Sequence, residues 1–219
     1  MLKILKNIRN SFFLFAILLS GFSDLEAKNS KDVSNTEVKR KTISHKKKYS
    51  LTLANKKDGH PVRSGKKSYR FEVRLGDCGK DSGHDDCKKD RQRTELQFKK
   101  HQMGKKDHWY SASIYLPEDY QSVAPVRTTF AQLYEKGWKP ILMITDRSGE
   151  WLEVGRMWSG EYVEMKKAIR INDMRGKWTD VLINARYSRE ENGFMKVWIN
   201  NKLILNAENI KNITPYTKR

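Results

Sequence analysis

From about Tyr49 onward, hydrophobic and polar residues alternate with a period of two, in short runs that turn residues separate. In residues 108–116, Tyr110, Ala112, Ile114 and Leu116 fall on one side of an extended chain and the polar or aromatic residues between them on the other. No run has a helical period of more than a few turns. The chain is therefore predicted to be all-β, a β-jelly roll with two sheets in a β-sandwich. The predicted strands are residues 69–75, 108–116, 128–134, 141–145, 152–158, 162–171, 178–187, 194–199 and 203–205.

Residues 93–98 read as a strand that places Arg93, Glu95 and Gln97 on one face and Thr94, Leu96 and Phe98 on the other. The second set requires a core. The first set puts a guanidinium, a carboxylate and an amide in a row on a rigid surface. A guanidinium grips a carboxylate with two parallel hydrogen bonds, so this strand is a candidate clamp for an acidic sugar.

Two other predicted strands carry a similar polar and aromatic face. One presents Phe130, Gln132 and Tyr134, and the other presents Trp109 and Tyr115 with two serines between them. Aromatic rings stack on sugar rings, and amides bind hydroxyl groups. The three strands together predict a sugar-binding groove, although each strand alone fits an ordinary solvent-exposed face.

The first 23 residues have the layout of a secretory signal peptide. Lys3, Lys6 and Arg9 precede an apolar run at residues 12–19, and small residues follow it. The run is short for a bilayer span, although an uncleaved anchor stays open as an alternative. Residues 24–48 are polar and lysine-rich, as in a disordered basic leader. We therefore expect a periplasmic or secreted protein whose folded domain is 49–219, with no stable membrane association after cleavage.

The 219 residues carry a net charge of +18, which indicates a polyanionic partner. Nucleic acid, an anionic membrane and an acidic polysaccharide all fit this charge. No ordered nucleic-acid-binding motif is present and export argues against nucleic acid, so the polysaccharide is favoured. We expect a monomer.

The two cysteines, Cys78 and Cys87, lie in a loop rich in glycine and aspartate. In an exported protein they favour a disulfide. The nearby His84 and aspartates leave a metal site as the alternative, but the spacing matches no zinc pattern, and no metal site is predicted.

An ordered set of motifs along residues 55–219 resembles the heparin lyase I-type polysaccharide lyase family, whose members are related in fold to alginate and glucuronan lyases. The set comprises the run at residues 60–98, His108-Trp109-Tyr110, Tyr115-Leu116-Pro117, Phe130-Ala131-Gln132, Gly176-Lys177-Trp178 with Asp180, and residues 193–200.

The resemblance implies a concanavalin-like jelly roll that cleaves a uronate-containing polysaccharide by β-elimination. The proton beside the uronate carboxylate is weakly acidic, so that carboxylate must be neutralised. Arg93 and Gln132 match the family residues that do this. Tyr134 stands where related lyases have a histidine, and it could act as base or acid if Arg93 or a nearby lysine lowers its pKa. His60, inside the resembling run, is a further catalytic candidate.

Around these residues, the expected substrate-binding side chains are Glu95, Gln97, Trp109, Tyr115 and Lys218. Glu95 is expected to orient Arg93 through an ion pair. No cofactor is expected, and a structural calcium ion stays open.

The family usually ends in a strand reading Tyr-x-Lys-x-Gly-x-Tyr. This sequence stops at Arg219, where Tyr216 and Lys218 match only the start of that strand. We therefore expect a C-terminally truncated domain with an incomplete last strand. Two functions stay open: an exported lyase, or a non-catalytic carbohydrate-binding jelly roll that uses the same groove.

Overall fold

Strands make up most of the computed structural model, which describes residues 10–17, 47–81, 84–96, 106–135 and 139–214, with the backbone alone for 10–17, 81 and 84. The helical segments in this part of the chain are a 3₁₀ turn at Lys56–Asp58 and the four-residue α1 at Ile171–Met174. The strands are β1 (Asn10–Ile17), β2 (Leu51–Asn55), β3 (Lys67–Val73), β4 (Lys80–Asp81), β5 (His84–Asp85), β6 (Asp107–Tyr115), β7 (Thr128–Tyr134), β8 (Pro140–Asp146), β9 (Trp151–Trp158), β10 (Glu161–Arg170), β11 (Trp178–Arg186), β12 (Gly193–Ile199) and β13 (Lys202–Ile210).

The strands form two antiparallel sheets that pack face to face. The first has seven strands in the order β13-β12-β11-β6-β1-β3-β2, and the second has four in the order β10-β9-β8-β7. β4 and β5 form a separate short hairpin. The two-sheet β-sandwich predicted from the alternation is confirmed.

The core lies between the two sheets, and alternation decides which side chains enter it. Ile114 of β6 and Val197 of β12 come from the seven-stranded sheet, and Leu142 of β8 and Val154 of β9 from the four-stranded sheet. Each such side chain contributes about 1.5–3 kcal/mol when fully buried. The predicted inward set of β6 is confirmed, because Ile114 and Leu116 are fully buried and Tyr110 and Ala112 pack against the same cluster.

A bulge in β7 changes one predicted face. The pairing with β8 shifts between Thr129 and Ala131, and Phe130 enters the core against Tyr120. A bulge adds one residue to a strand and interrupts its alternation. Phe130 therefore does not share a face with Gln132 and Tyr134, and that prediction is wrong.

Residues 91–96 form no strand, which corrects the strand predicted over 93–98. Their side chains are tied to loops and to a strand end instead, since Arg93 pairs with Asp86 and the Thr94 hydroxyl donates to the carbonyl of Glu72. Residues 97 and 98 lie outside the described residues. The strand predicted over residues 69–75 also ends early, because β3 stops at Val73 and Leu75 is exposed.

Asn200 and Asn201 form the turn between β12 and β13, and both have the positive φ that a tight hairpin requires. The N-terminal residues are given two different roles by the structure and by the sequence. β1 pairs with β6 on one side and β3 on the other, and it overlaps the apolar run assigned to the signal peptide. One segment cannot be a sheet strand and an export signal at the same time. The signal peptide stays a prediction, and no helix among the described residues is long and apolar enough to cross a membrane.

Candidate active site

The outer face of the four-stranded sheet holds Gln132, the central residue of the site. Its neighbours Ala131 and Leu133 pack against the core, so alternation turns Gln132 away from it. Gln132 is paired in register with Met143 of β8, and Met143 with Gly155 of β9, which in turn is paired with Met165 of β10. These four residues form a row across the sheet, which we call the cross-strand row.

A loop carboxylate holds the Gln132 amide. Its Nε2 donates to Glu95 Oε1 over 2.8 Å, and the other oxygen of Glu95 lies 3.6 Å from Arg93 Nη1. The expected ion pair between Glu95 and Arg93 is therefore present. The second hydrogen on Nε2 is not used by this bond and can meet a substrate oxygen.

The Arg93 guanidinium already makes hydrogen bonds within the protein, which is not expected for a group that clamps substrate. Its Nε and Nη2 donate to the two carboxylate oxygens of Asp86 over 2.9 and 2.7 Å. Asp86 is only 1% exposed, and its pairing with Arg93 compensates its buried charge. The structure thus brings Arg93 to Gln132 through Glu95, with two of its five donor positions already committed to Asp86.

The cysteine loop fixes that aspartate. Cys78 and Cys87 form the predicted disulfide, and Asp86 directly precedes Cys87. The metal-site alternative for these cysteines is set aside, since each sulfur is bonded to the other. No cluster of metal-ligating side chains occurs in the described part of the chain.

Tyr134 follows two residues after Gln132 in β7 and is partly exposed. Burial and the charge of Glu95 raise its pKa above the ordinary tyrosine value, and the nearby charges of Arg93, Arg91 and Arg127 oppose that shift without overcoming it. The lowered pKa that would make Tyr134 a base is therefore not found. A phenol with a raised pKa stays protonated at neutral pH, which suits a proton donor.

Trp109 and Tyr115 lie on the other side of the sandwich. They project from the outer face of the seven-stranded sheet, where Trp109 stacks with Trp198 and Tyr115 contacts Trp178. The core separates them from Gln132, so the predicted single groove over three strands is wrong. Alternation told which residues leave the core but not which sheet each strand joins.

Of the remaining predicted residues, His60 is the one that the structure describes. His60 is exposed in the loop after β2, and that loop continues to Arg63, which binds Asp180 on the outer face of the seven-stranded sheet. Gln97 and Lys218 lie outside the described residues. Thr214, four residues before Lys218, donates to the carboxylate of Glu135, which directly follows Tyr134.

A cavity of about 240 Å³ opens on the seven-stranded side, away from Gln132. Its polar lining is largely satisfied from within, because Asp180 accepts from Arg63 and from the Ser113 hydroxyl, the latter over 2.6 Å. With its carboxylate and guanidinium already paired to each other, this cavity offers less to an anionic ligand than the Gln132 face does.

The model of a family described as polysaccharide lyase matches residues 28–218. The chain belongs to the polysaccharide lyase family. A solved structure, endo-beta-1,4-glucuronan lyase from the fungus Trichoderma reesei, matches the fold with a TM-score of 0.54 at 14% identity, covering 82% of this chain and 74% of that one. No curated protein matches the sequence.

These matches confirm the family resemblance and the jelly-roll fold of this polysaccharide lyase, and its substrate is a polysaccharide. The sequence interpretation missed Arg127 and Arg147, which also reach the Gln132 face. A signal for them existed, because Arg127 directly precedes β7 and Arg147 directly follows β8. In an antiparallel pair whose ends are Thr128 and Asp146, those two positions are neighbours.

Proposed function

We propose that this polysaccharide lyase cleaves a uronate-containing polysaccharide by β-elimination at the Gln132 face. In this reaction a base removes the proton beside the carboxyl group, and the bond to the glycosidic oxygen on the neighbouring carbon breaks. The amide of Gln132 would stabilise the charge that develops on the carboxyl group. The protonated phenol of Tyr134 would supply a proton to the departing oxygen.

The observation that carries the proposal is the placement of Gln132 and Tyr134. They lie on one strand with their side chains two residues apart, and Glu95 is close to both, since it accepts from the Gln132 amide and raises the pKa of Tyr134. A fixed amide donor beside a protonated phenol supplies two of the three groups that this elimination requires, the donor to the carboxyl group and the acid for the departing oxygen, and the third is a base that accepts the proton.

The test is the ultraviolet absorbance of the unsaturated uronate product, measured on alginate, glucuronan and glycosaminoglycans. We expect a rise with at least one of them, and Gln132→Ala should lower kcat about 10²–10³-fold, the cost of removing one transition-state donor. Gln121→Ala, an exposed glutamine in the loop before β7, is the matched control and should keep wild-type kcat. No rise on any substrate with folded protein contradicts the proposal.

A second candidate function has its own supporting observation. Arg93 is held by Asp86 and Glu95, so the guanidinium expected to neutralise the substrate is partly occupied. A non-catalytic carbohydrate-binding protein would tolerate this arrangement. It predicts that acidic polysaccharide binds with no absorbance rise, and that Gln132→Ala weakens binding.

We also propose that the protein is exported and acts on its polysaccharide outside the cytoplasm. The n-region and apolar run of residues 1–23, together with the disulfide, support export. The N-terminal residue of protein recovered from the periplasm or medium tests this: a start near residue 24 supports cleavage, whereas a retained Met1 argues for the strand role of Asn10–Ile17.

A further inference from the structure

Beyond Gln132, the cross-strand row carries a tyrosine ring on its surface. A Cβ built on Gly155 would lie 2.3 Å from Cε1 of Tyr162, so this ring rests directly on the glycine backbone. The Tyr162 hydroxyl lies 3.6 Å from the sulfur of Met143, the register partner of Gln132. The Tyr162 ring therefore lies over β9, two strands from Gln132, and its hydroxyl reaches toward β8, which is one strand spacing of about 4.8 Å from β7.

Two arginines converge on this ring. Arg127 Nη1 donates to the Tyr162 hydroxyl over 3.3 Å, and the guanidinium carbon of Arg147 lies 5.1 Å from the ring centroid. Arg147 Nη1 also lies 3.6 Å from the sulfur of Met165, the last member of the cross-strand row. Both arginines are exposed.

The contacts of these two guanidiniums are a phenol, an aromatic ring and a thioether. Within the described residues neither of them pairs with a carboxylate, whereas Arg63, Arg93 and Arg186 each do. Two positive charges close to one another repel, so an anion between them would relieve that repulsion. A carboxylate fits because a guanidinium binds it with two hydrogen bonds.

This arginine pair is continuous with the Gln132 face. The charge of Arg127 is one of those that act on the Tyr134 phenol, which places Arg127 close to the proposed proton donor. Tyr162 bridges Arg127 to Met143. A chain bound over Gln132 and Tyr134 would therefore place a neighbouring sugar over Tyr162.

We propose that Arg127, Arg147 and Tyr162 form a subsite that binds the carboxylate of a uronate adjacent to the sugar being cleaved. This inference rests on the proposed function and gives it a specificity: the enzyme requires consecutive acidic sugars. Arg127 and Arg147 supply the charge, and Tyr162 on Gly155 supplies the surface.

The test is calorimetric binding of an oligouronate from the best substrate, together with kcat and KM, for Arg127→Ala, Arg147→Ala and the double variant. Arg189→Ala, an exposed arginine of the turn before β12, removes the same charge elsewhere. A hydrogen bond to a charged group contributes about 1.5–3 kcal/mol, so each site variant should weaken binding about 10–100-fold and raise KM with little change in kcat. Arg189→Ala should stay within about twofold of wild type.

Two further binding measurements distinguish specific recognition of a carboxylate from non-specific attraction between opposite charges. A carboxyl-reduced oligomer should bind wild type and the double variant equally. Arg127→Lys keeps the charge but loses the planar fork, and should recover only part of the affinity. Any of three results overturns the proposal. Arg127→Ala and Arg147→Ala could bind the oligouronate as tightly as Arg189→Ala does, or the double substitution could weaken binding of the carboxyl-reduced oligomer as much as binding of the acidic one. The third result is that wild type binds no oligouronate.

These outcomes are distinct from failure of the proposed function. Oligouronate binding that depends on Arg127 and Arg147 without product absorbance would refute the lyase proposal and support the subsite. Turnover that is unchanged in the double variant would support the lyase proposal and refute the subsite.

Discussion

The two outer faces of the sandwich carry similar residue types, and they differ in what their arginines contact. On the seven-stranded side Arg63 donates to both oxygens of Asp180, and Trp109 stacks on Trp198. On the four-stranded side Arg127 and Arg147 meet a phenol and a ring. Aromatic and basic residues on a strand are therefore a weak sign of a sugar site, and positive charge without an internal partner is a stronger one.

Two arginine–aspartate pairs have the same geometry but different exposure to solvent, and they should therefore contribute differently to the free energy of unfolding. Arg93 and Arg63 each use Nε and Nη2 to bind an aspartate, but Asp86 is 1% exposed and the Asp180 side chain is 41% exposed. Because one pair is buried and the other is exposed, removing the arginine from each tests how burial changes the contribution of such a pair to stability.

The largest effect is expected for Arg93→Ala. Removing one partner of a buried pair leaves Asp86 uncompensated, at a cost of about 3–5 kcal/mol in unfolding free energy. Arg63→Ala removes a partner that water can replace, at a cost below about 1 kcal/mol. Urea denaturation of both variants measures the difference, and equal losses would contradict the contrast between the buried and the exposed pair.

The next largest effect is expected at Tyr134, the proposed proton donor. Tyr134→Phe should lower kcat about 10²-fold or more, as expected for loss of a general acid. Tyr115→Phe, on the seven-stranded side, should keep wild-type kcat. Because the pKa of Tyr134 is raised, the fall of wild-type kcat on the alkaline side should begin above the ordinary tyrosine range. A fall in kcat for Tyr115→Phe alone would move the site to the opposite face.

A smaller loss of stability is expected when the disulfide next to Asp86 is removed. Replacing Cys78 and Cys87 together by serine removes a short loop closure, worth about 2.5–3 kcal/mol at most. Asp86 lies inside this loop, so Arg93 and Glu95 should lose order and kcat should fall as well. Unfolding in urea and product absorbance follow both effects. Lost stability with unchanged kcat would show that Gln132 is held without the loop.

The smallest effect concerns acid stability on the seven-stranded sheet. Burial alone would raise the pKa of Glu72, but hydrogen bonds from Arg74 and Arg70 lower it overall. Its stabilising contribution is therefore complete above the ordinary glutamate pKa of about 4.3 and is lost as pH falls from there through the lower folded pKa.

Unfolding free energies of wild type and Glu72→Gln measure this contribution across that pH range. The difference between the two proteins should shrink toward acid pH, and Glu190→Gln, at an exposed turn position, should show no such trend. A difference for Glu72→Gln that does not vary with pH would contradict the lowered pKa.

Much of the fold could be predicted because alternation follows local geometry. Residues 128–134 match β7 fully, and β8 to β12 differ from their predictions by one residue at one or both ends. The site was predicted in part. Gln132, Tyr134 and Glu95 come together, but 93–96 is a loop, because Arg93 meets Asp86 instead of pairing in a ladder.

By itself, the sequence determined the strands, their inward faces, the disulfide and the family motifs, since each depends on near neighbours or on residue type. Only the tertiary structure decided that Trp109 and Gln132 lie on opposite sides of the core, that a bulge turns Phe130 inward, and that Arg127 and Arg147 converge on Tyr162. These outcomes depend on which strands become neighbours, and that is set by packing between residues far apart along the chain.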